Sequence, residues 1–105
     1  MSEIHQGRLA GKRVLITGTA GGQGEAAQRL VVQQGASVVG CDLRAGAAEA
    51  SAKALRAEGY DARGYDLDLS DPEATAAWVE SAAAELGGID VIINNAGVMP
   101  LSPLH

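Results

Sequence analysis

The fold is decided by the stretch Arg13-Val-Leu-Ile-Thr-Gly-Thr-Ala-Gly-Gly-Gln-Gly24, in which a short apolar run leads directly into a glycine-rich loop. The run from Arg13 to Thr17 is rich in β-branched residues, which predicts a strand buried on both faces of a sheet. A helix is predicted from Gly22 to about Gln34. The residues expected on its inward face are Ala26, Ala27, Leu30 and Val31. Strand, loop and helix together indicate the start of a βαβ unit.

The same alternation of strands and helices continues along the chain. Further strands are predicted at residues 37–42, 62–66 and 89–93, and further helices at 47–58 and from the segment 70–73 to about 86. The last helix follows Ser70-Asp-Pro-Glu73, which has the form of a capping box. Its expected inward residues are Ala74, Ala77, Trp78 and Ser81.

The element order β-α-β-α-β-α-β predicts an α/β fold of Rossmann type, with a parallel sheet between two layers of helices. Right-handed crossovers give the spatial strand order 3-2-1-4. Residues 12–105 are expected to form one domain of this fold, preceded by a loose arm at residues 1–11.

Composition argues against several classes of protein. The 105 residues suffice for one domain, and 47% apolar with 20% charged residues is ordinary for a globular chain. The net charge is −5 and the eight basic residues are scattered, so nucleic acid is not an expected partner. No apolar stretch reaches the ~18 residues that a membrane span needs. Because Cys41 is the only cysteine, no internal disulfide can form, and a reducing cytoplasm is the expected location.

The loop between the first strand and the first helix has the residues that a phosphate site needs. Glycines at positions 18, 22 and 24 allow the turn, the close approach of an anion to the backbone, and tight packing of helix on strand. Amides at a helix start, together with the helix dipole, favour negative charge. The backbone of residues 18–23 is therefore the predicted cradle for a diphosphate. A flexible glycine loop without a ligand is the alternative.

An acidic residue closes the second strand at the place where a dinucleotide site has its ribose. Asp42 comes 18 residues after Gly24, close to the ~20-residue spacing at which a carboxylate accepts hydrogen bonds from the adenosine ribose. Such a carboxylate repels a 2′-phosphate, which predicts NAD rather than NADP. Arg44 lies near enough to weaken that preference. The alternative is a solvated aspartate in a turn.

From Gly11 to about Pro100 the chain resembles the short-chain dehydrogenase/reductase family. The motifs that carry the resemblance are Thr17-Gly18-x-x-x-Gly22-x-Gly24, Asp68-Leu69 and Asn94-Asn95-Ala96-Gly97, each after the matching strand. The resemblance implies an oxidoreductase that uses NAD, or less readily NADP, for hydride transfer to and from small alcohols or ketones. It implies that residues 12–105 are a partial domain, truncated after strand four so that an open sheet edge remains. It also implies that the complete protein is a homo-oligomer.

The resemblance implies a role for each motif residue. Asp42 would hold the adenosine ribose with Leu43 beside it, and Asp68 would accept a hydrogen bond from the adenine amino group. Leu69 would pack or donate its N–H, and Asn94 would mainly tie strands together. The implied cofactor-binding residues are Gly18, Thr19, Ala20, Gly21, Gly22, Gln23, Gly24, Asp42, Leu43, Asp68, Leu69, Asn95, Ala96 and Gly97.

The hydride chemistry of the family uses a Tyr-x-x-x-Lys pair and a serine, and this pair is absent from the chain. Gly64 and Leu69 stand four residues after the two tyrosines, Tyr60 and Tyr65. No catalytic residue is therefore assigned, and the chain alone is predicted to be inactive. A non-catalytic nucleotide-binding module or partner subunit is one alternative. An S-adenosylmethionine-dependent methyltransferase is another, although the three-residue gap after Gly18 and the Asn-Asn-Ala-Gly segment argue against it.

Overall fold

The structure is a computed structural model that describes residues 7–95 of the chain. Strands and helices alternate along these residues, and the sequence predicts their limits to within about two residues. The elements are β1 (Arg13–Thr17), α1 (Gly22–Gln33), β2 (Ser37–Asp42), α2 (Ala47–Ala57), β3 (Ala62–Asp66), α3 (Pro72–Leu86) and β4 (Val91–Asn94). The largest difference is in the last strand, which begins at Val91 rather than Ile89. Ile89 lies before the strand and packs against the core on the α3 side.

The strands form one parallel sheet in the order β3-β2-β1-β4, which confirms the predicted topology. Leu15 in the middle of β1 is aligned with Val39 on β2 and with Ile92 on β4. Since every strand runs in the same direction, the carboxyl ends of the strands meet at one edge of the sheet. The loops that follow the strands therefore share that edge.

The core has two layers, one on each face of the sheet. On one face, Val14, Ile16 and Val38 pack against residues of α1 and α2. On the other face, Leu15 and Val39 pack against α3. Helices thus cover both faces, and β1 is buried on both, as the sequence predicts. No helix among residues 7–95 is long and apolar enough to cross a membrane.

The predicted inward face of α1 is correct only in part. Val31 is buried and Ala27 is half-buried, as predicted, but Ala26 and Leu30 are exposed, Leu30 by 58%, whereas Gln28 is completely buried. The glycine loop causes the difference, because Gly24 packs directly on the carbonyl of Gly18 and so sets the rotation of the helix. Once Gly24 faces inward, Gln28 and Val31 follow it at four and seven residues along the same face.

The predicted inward face of α3 is also correct only in part, and its predicted cap is wrong. Trp78 is buried as predicted, but Ala77 and Ser81 are exposed, and Thr75 and Ala82 are buried in addition. The cap is Asp71, whose carboxylate accepts hydrogen bonds from the backbone N–H groups of residues 73 and 74, and Pro72 takes the first helical position. The sequence pattern placed the cap one residue too early, at Ser70.

The part of the predicted loose arm that the structure describes is attached to the domain. The N–H of Leu9 donates to the carbonyl of Gln34 at 2.8 Å, and the N–H of Gly11 donates to that of Gly35 at 3.4 Å. Leu9 also packs against the core on the α1 side. Residues 7–11 therefore cap the carboxyl end of α1, whose last carbonyls lack partners within the helix.

Candidate cofactor site

The glycine loop begins with a sharp turn that is held against the neighbouring strand. Gly18 has φ +72°, in the left-handed region that glycine favours. The N–H groups of Gly18 and Thr19 both donate to the carbonyl of Cys41 at the end of β2, at 2.8 and 3.1 Å. A Cβ at Gly24 would overlap the Gly18 carbonyl. The start of α1 therefore packs on the loop as closely as the backbone permits.

The first turn of α1 presents backbone N–H groups on an open surface. Gly21 precedes the helix and supplies no side-chain cap. Within residues 7–95, the N–H groups of Gly22, Gln23 and Gly24 have no hydrogen-bond acceptor. A Cβ at Gly22 would meet no atom within 4 Å, so the space beside these donors is free. Open donors at the positive end of a helix dipole fit an anionic group such as a diphosphate.

This set of donors is narrower than the predicted cradle of residues 18–23. The N–H of Ala20 donates to the Asp42 carboxylate at 3.0 Å, and that of Gly21 donates to the Gly18 carbonyl at 3.4 Å. Because the amides of residues 18–21 are engaged within the chain, they shape the loop. The donors left for a ligand are those of residues 22–24.

The Thr19 side chain is buried against β2, a contact that sequence reasoning missed. A Cβ at Gly40 would overlap the Thr19 side chain, so Gly40 makes room for the loop to cross the sheet end. A glycine inside a strand is the signal that could have revealed this approach of another segment. The Thr19 side chain thus packs the loop against β2.

Asp42 connects the end of β2 to the loop. Its carboxylate is 9% exposed and accepts hydrogen bonds from the N–H and Nε of Arg44, at 3.0 and 3.3 Å, as well as from the N–H of Ala20. Burial opposes ionisation of Asp42, but the hydrogen bonds from Arg44 and Ala20 outweigh it and lower the pKa. A carboxylate can accept about four hydrogen bonds. Asp42 is therefore ionised at neutral pH and retains capacity for a further donor, and Leu43 beside it is exposed.

Asp68 and Leu69 lie beyond the end of β3. The N–H and hydroxyl of Ser70 both donate to one carboxylate oxygen of Asp68, at 2.9 and 2.6 Å, and these bonds lower the pKa of Asp68. Asp68 is exposed, whereas Leu69 is half-buried and packs on the α3 side of the core. Sequence reasoning missed Ser70, which orients Asp68 instead of capping α3.

The end of β4 is tied to the end of β1. The buried Thr17 hydroxyl donates to the side-chain oxygen of Asn94 at 2.6 Å, and the N–H of Asn95 donates to Thr17 Oγ1 at 3.1 Å. Like Ser70, Thr17 is a residue that sequence reasoning did not assign to the site. Ala96 and Gly97 lie outside the described residues.

The structure brings those predicted residues that it describes to one edge of the sheet. They form two hydrogen-bonded groups, and Asp68 lies apart from both. The glycine loop is bonded to Asp42, and Thr17 joins Asn94 to Asn95. Asp68 follows β3 at the same edge, with Ser70 as its partner. Open amides, an ionised carboxylate and polar side chains along this edge can bind a ligand that has phosphates and sugar hydroxyls.

This architecture is that of a Rossmann-type α/β fold, and known proteins share it. A hydroxysteroid dehydrogenase from Escherichia coli superposes with a TM-score of 0.81 at 33% identity, covering 87% of this chain and 39% of that one. A xylitol dehydrogenase solved with NAD⁺ bound superposes equally well, with a TM-score of 0.81 at 32% identity over 87% of this chain and 35% of that one.

Sequence comparison gives the same result. The family model for short chain dehydrogenases matches residues 12–105. The chain is 42% identical to cis-4-hydroxycyclohexanecarboxylate dehydrogenase of Sinomonas cyclohexanicum, over 100% of this chain and 41% of the relative. It is 40% identical to D-threitol dehydrogenase of Mycolicibacterium smegmatis, over 91% of this chain and 37% of the relative. The chain therefore belongs to the short-chain dehydrogenase/reductase family, and it spans about two fifths of the length of these relatives.

Proposed function

We propose that the chain is the cofactor-binding part of an oxidoreductase that uses NAD to interconvert small alcohols and ketones. The observation that carries this proposal is the open first turn of α1. Its three amides have no acceptor in the described part of the chain, and they lie beside a loop that is hydrogen-bonded to Asp42. Family membership supports a nicotinamide cofactor as the ligand and disfavours a methyltransferase. The substrate class follows from the family and is part of the proposal.

In this proposal the chain binds and orients the dinucleotide. The N–H groups of Gly22, Gln23 and Gly24 donate to the diphosphate, where the helix dipole favours its charge. Asp42 accepts a hydrogen bond from the adenosine ribose, Asp68 accepts one from the adenine amino group, and Asn95 lies beside the second ribose. The nicotinamide ring supplies the hydride acceptor or donor when it is bound. Because Tyr-x-x-x-Lys is absent from the sequence, we expect the chain alone to bind cofactor without turnover.

We also propose that NAD binds in preference to NADP. The Asp42 carboxylate is ionised and nearly buried, so its negative charge, which little water screens, would repel a 2′-phosphate placed beside it. Arg44 reduces this repulsion, since its guanidinium contacts the same carboxylate and its side chain is 64% exposed. The preference is therefore expected to be moderate.

Replacing Gly22 by alanine tests the site, because it separates binding from folding. The added methyl group meets no atom within 4 Å and replaces a glycine at the start of a helix. We expect unchanged or slightly higher stability, by up to ~1 kcal/mol. The same methyl group would occupy the space of the diphosphate, so the affinity for NADH should fall about tenfold or more.

The measurements are NADH titration by calorimetry and urea unfolding of the wild-type chain and Gly22→Ala. Wild-type binding that the variant loses, with stability retained, supports the proposed site. Absence of wild-type binding at millimolar NADH, or equal binding by both proteins, would overturn it.

A further inference from the structure

Glu25 places a negative charge next to the proposed phosphate site. It lies in the first turn of α1, directly after the three open amides. An acidic side chain at this position stabilises the helix through its dipole. The same carboxylate repels a diphosphate at the helix start. The direction in which the Glu25 side chain points therefore affects how strongly the site binds an anion.

A serine on the next helix holds this carboxylate. The Ser51 hydroxyl lies 3.3 Å from Glu25 Oε2 and donates to it. Ser51 is buried, and the same hydroxyl lies 3.3 Å from Oε1 of the completely buried Gln28. The guanidinium of Arg29, one turn further along α1, is occupied by Glu58, to which both of its terminal nitrogens donate. Arg29 also attracts the Glu25 carboxylate through its charge but makes its hydrogen bonds to Glu58. Ser51 therefore supplies the hydrogen bond that directs Glu25 toward α2.

The position of α2 determines the direction in which Ser51 holds the Glu25 carboxylate. In the strand order β3-β2-β1-β4, α2 packs on β2 and β3. The proposed diphosphate lies at the start of α1, on the amides of residues 22–24, whereas Ser51 lies beside the helix, on α2. The hydrogen bond from Ser51 therefore directs the Glu25 carboxylate sideways, toward α2, and not toward these amides.

We propose that Ser51 is a positioning residue that holds the Glu25 carboxylate away from the phosphate-binding amides and so sets the affinity of the site for its charged cofactor. This inference rests on the proposed function. Without the hydroxyl, the Glu25 side chain can turn toward its own helix start, where the dipole attracts it and where it competes with the diphosphate.

A double-mutant cycle with NADH as the probe tests the proposal. The proteins are the wild-type chain, Ser51→Ala, Glu25→Gln and the double variant. At about 20 mM salt, Ser51→Ala should weaken NADH binding about threefold and Glu25→Gln should tighten it about threefold. In the Glu25→Gln background, Ser51→Ala should have no effect, because no charge remains to be positioned.

Salt and a matched control give further readouts. At about 500 mM salt the Debye length is only about 4 Å, so the effects of Ser51→Ala and Glu25→Gln should both shrink. Ser81→Ala makes the same chemical change at an exposed position of α3 and should leave NADH binding unchanged at both salt concentrations. Urea unfolding of each variant shows whether the helices still pack.

The outcomes separate this inference from the proposed function. Weakening by Ser51→Ala that is equal in both backgrounds and at both salt concentrations would mean a packing role and would overturn the inference. Wild-type binding that Ser51→Ala leaves unchanged would overturn the inference alone. Absence of NADH binding by the wild-type chain would overturn the proposed function and the inference together.

Discussion

The Asp42 carboxylate has one role that the structure shows and a second that we propose. Its oxygens accept hydrogen bonds from the N–H groups of Ala20 and Arg44, which fixes the glycine loop relative to β2. The proposed second role is to accept a hydrogen bond from the adenosine ribose. In this proposal loop geometry and cofactor selection depend on one side chain, and a change at Asp42 should affect both.

Asp42→Asn should reduce the preference for NADH over NADPH. The amide removes the charge that repels a 2′-phosphate, and we expect the ratio of the two affinities to fall about tenfold, which corresponds to ~1.4 kcal/mol. Fluorescence titration with both cofactors measures the ratio. Asp61→Asn, which removes an exposed carboxylate at the opposite end of the sheet, is the matched control and should leave the ratio unchanged. An unaltered ratio in Asp42→Asn would show that Asp42 does not select the cofactor.

Single residues differ in how far the sequence predicts them. The close packing of Gly24 follows from local chemistry, because only glycine lets a helix start touch a turn. The contacts of Thr17 and Gly40 depend on segments that are distant in the sequence. The strand pattern predicts that Thr17 is buried. The partner of its hydroxyl, Asn94, becomes evident only when β4 lies beside β1.

At the scale of secondary structure, α3 shows that the limits of a helix are easier to predict than its inward face. Asp71 and Pro72 fix where the helix begins. Successive side chains of a helix point about 100° apart, so a face assigned one residue off points away from the core. The predicted limits of α3 are close to the observed ones, yet Ala77 and Ser81 lie on the exposed face. Element limits depend on local signals, whereas the face depends on which side chains pack against the sheet.

Asp71→Ala should destabilise the chain by about 1 kcal/mol, because two N–H groups of the first turn lose their acceptor. Ser70→Ala removes the residue that the sequence pattern favours as the cap, and should change the free energy of unfolding by no more than a few tenths of a kcal/mol. Urea unfolding of both variants measures the difference. If Ser70→Ala proved the more damaging, Asp71 would not be the cap.

The start of β1 and the turn before β4 are joined by a charged cluster. The Arg13 side chain donates to both carboxylate oxygens of Asp90, at 2.9 and 3.2 Å, and to the carbonyl of Gly87 at 2.6 Å. The Arg13 N–H also donates to Asp90 at 2.8 Å. The hydrogen bonds from the Arg13 side chain and backbone lower the pKa of Asp90 to about 2.

This shift predicts a pH dependence of stability. Because the pKa of Asp90 is lower in the folded chain than its ordinary 3.8, its contribution is complete above pH 3.8 and is lost as the pH falls toward about 2. Asp90→Asn removes the titrating group. Between these two pH values, the free energy of unfolding should therefore fall more steeply for the wild-type chain than for Asp90→Asn. Urea unfolding across this range tests the prediction, and parallel profiles would contradict it.

At the scale of the whole molecule, parallel strand order explains why distant motifs form one site. The loop after β1, Asp42 after β2, Asp68 after β3 and Asn95 after β4 are far apart in the sequence, yet the sheet places them at one edge. Strand order could be predicted because right-handed crossovers leave few arrangements. The narrower set of free amides could not be predicted. It depends on which N–H groups of the loop donate to Cys41 and Asp42.

The two edges of the sheet differ in how well they are protected against pairing with a strand of another molecule. On the β3 edge, the charged Arg63 pairs with Asp61 and Glu85 at 3.5 and 3.3 Å. In the part of the chain that the structure describes, β4 pairs with β1 alone, and its Val91 and Ile92 are 39% and 42% exposed. Charged side chains discourage strand pairing at an edge, whereas exposed apolar residues favour it. The β4 edge is therefore the surface at which copies of this chain should associate.

The 105-residue chain, purified alone, should accordingly self-associate in a concentration-dependent manner, and Ile92→Lys should reduce this association. Sedimentation velocity at about 1 to 100 μM protein measures it, in the range where exposed strand edges promote aggregation. Leu30→Lys is the matched control, since it replaces an equally apolar and more exposed side chain on α1, away from the sheet edge. Because association through β4 requires backbone pairing beside Ile92, only the strand variant should become monomeric. A wild-type chain that stays monomeric over the whole range, or an equal effect of Leu30→Lys, would show that the β4 edge is not the contact.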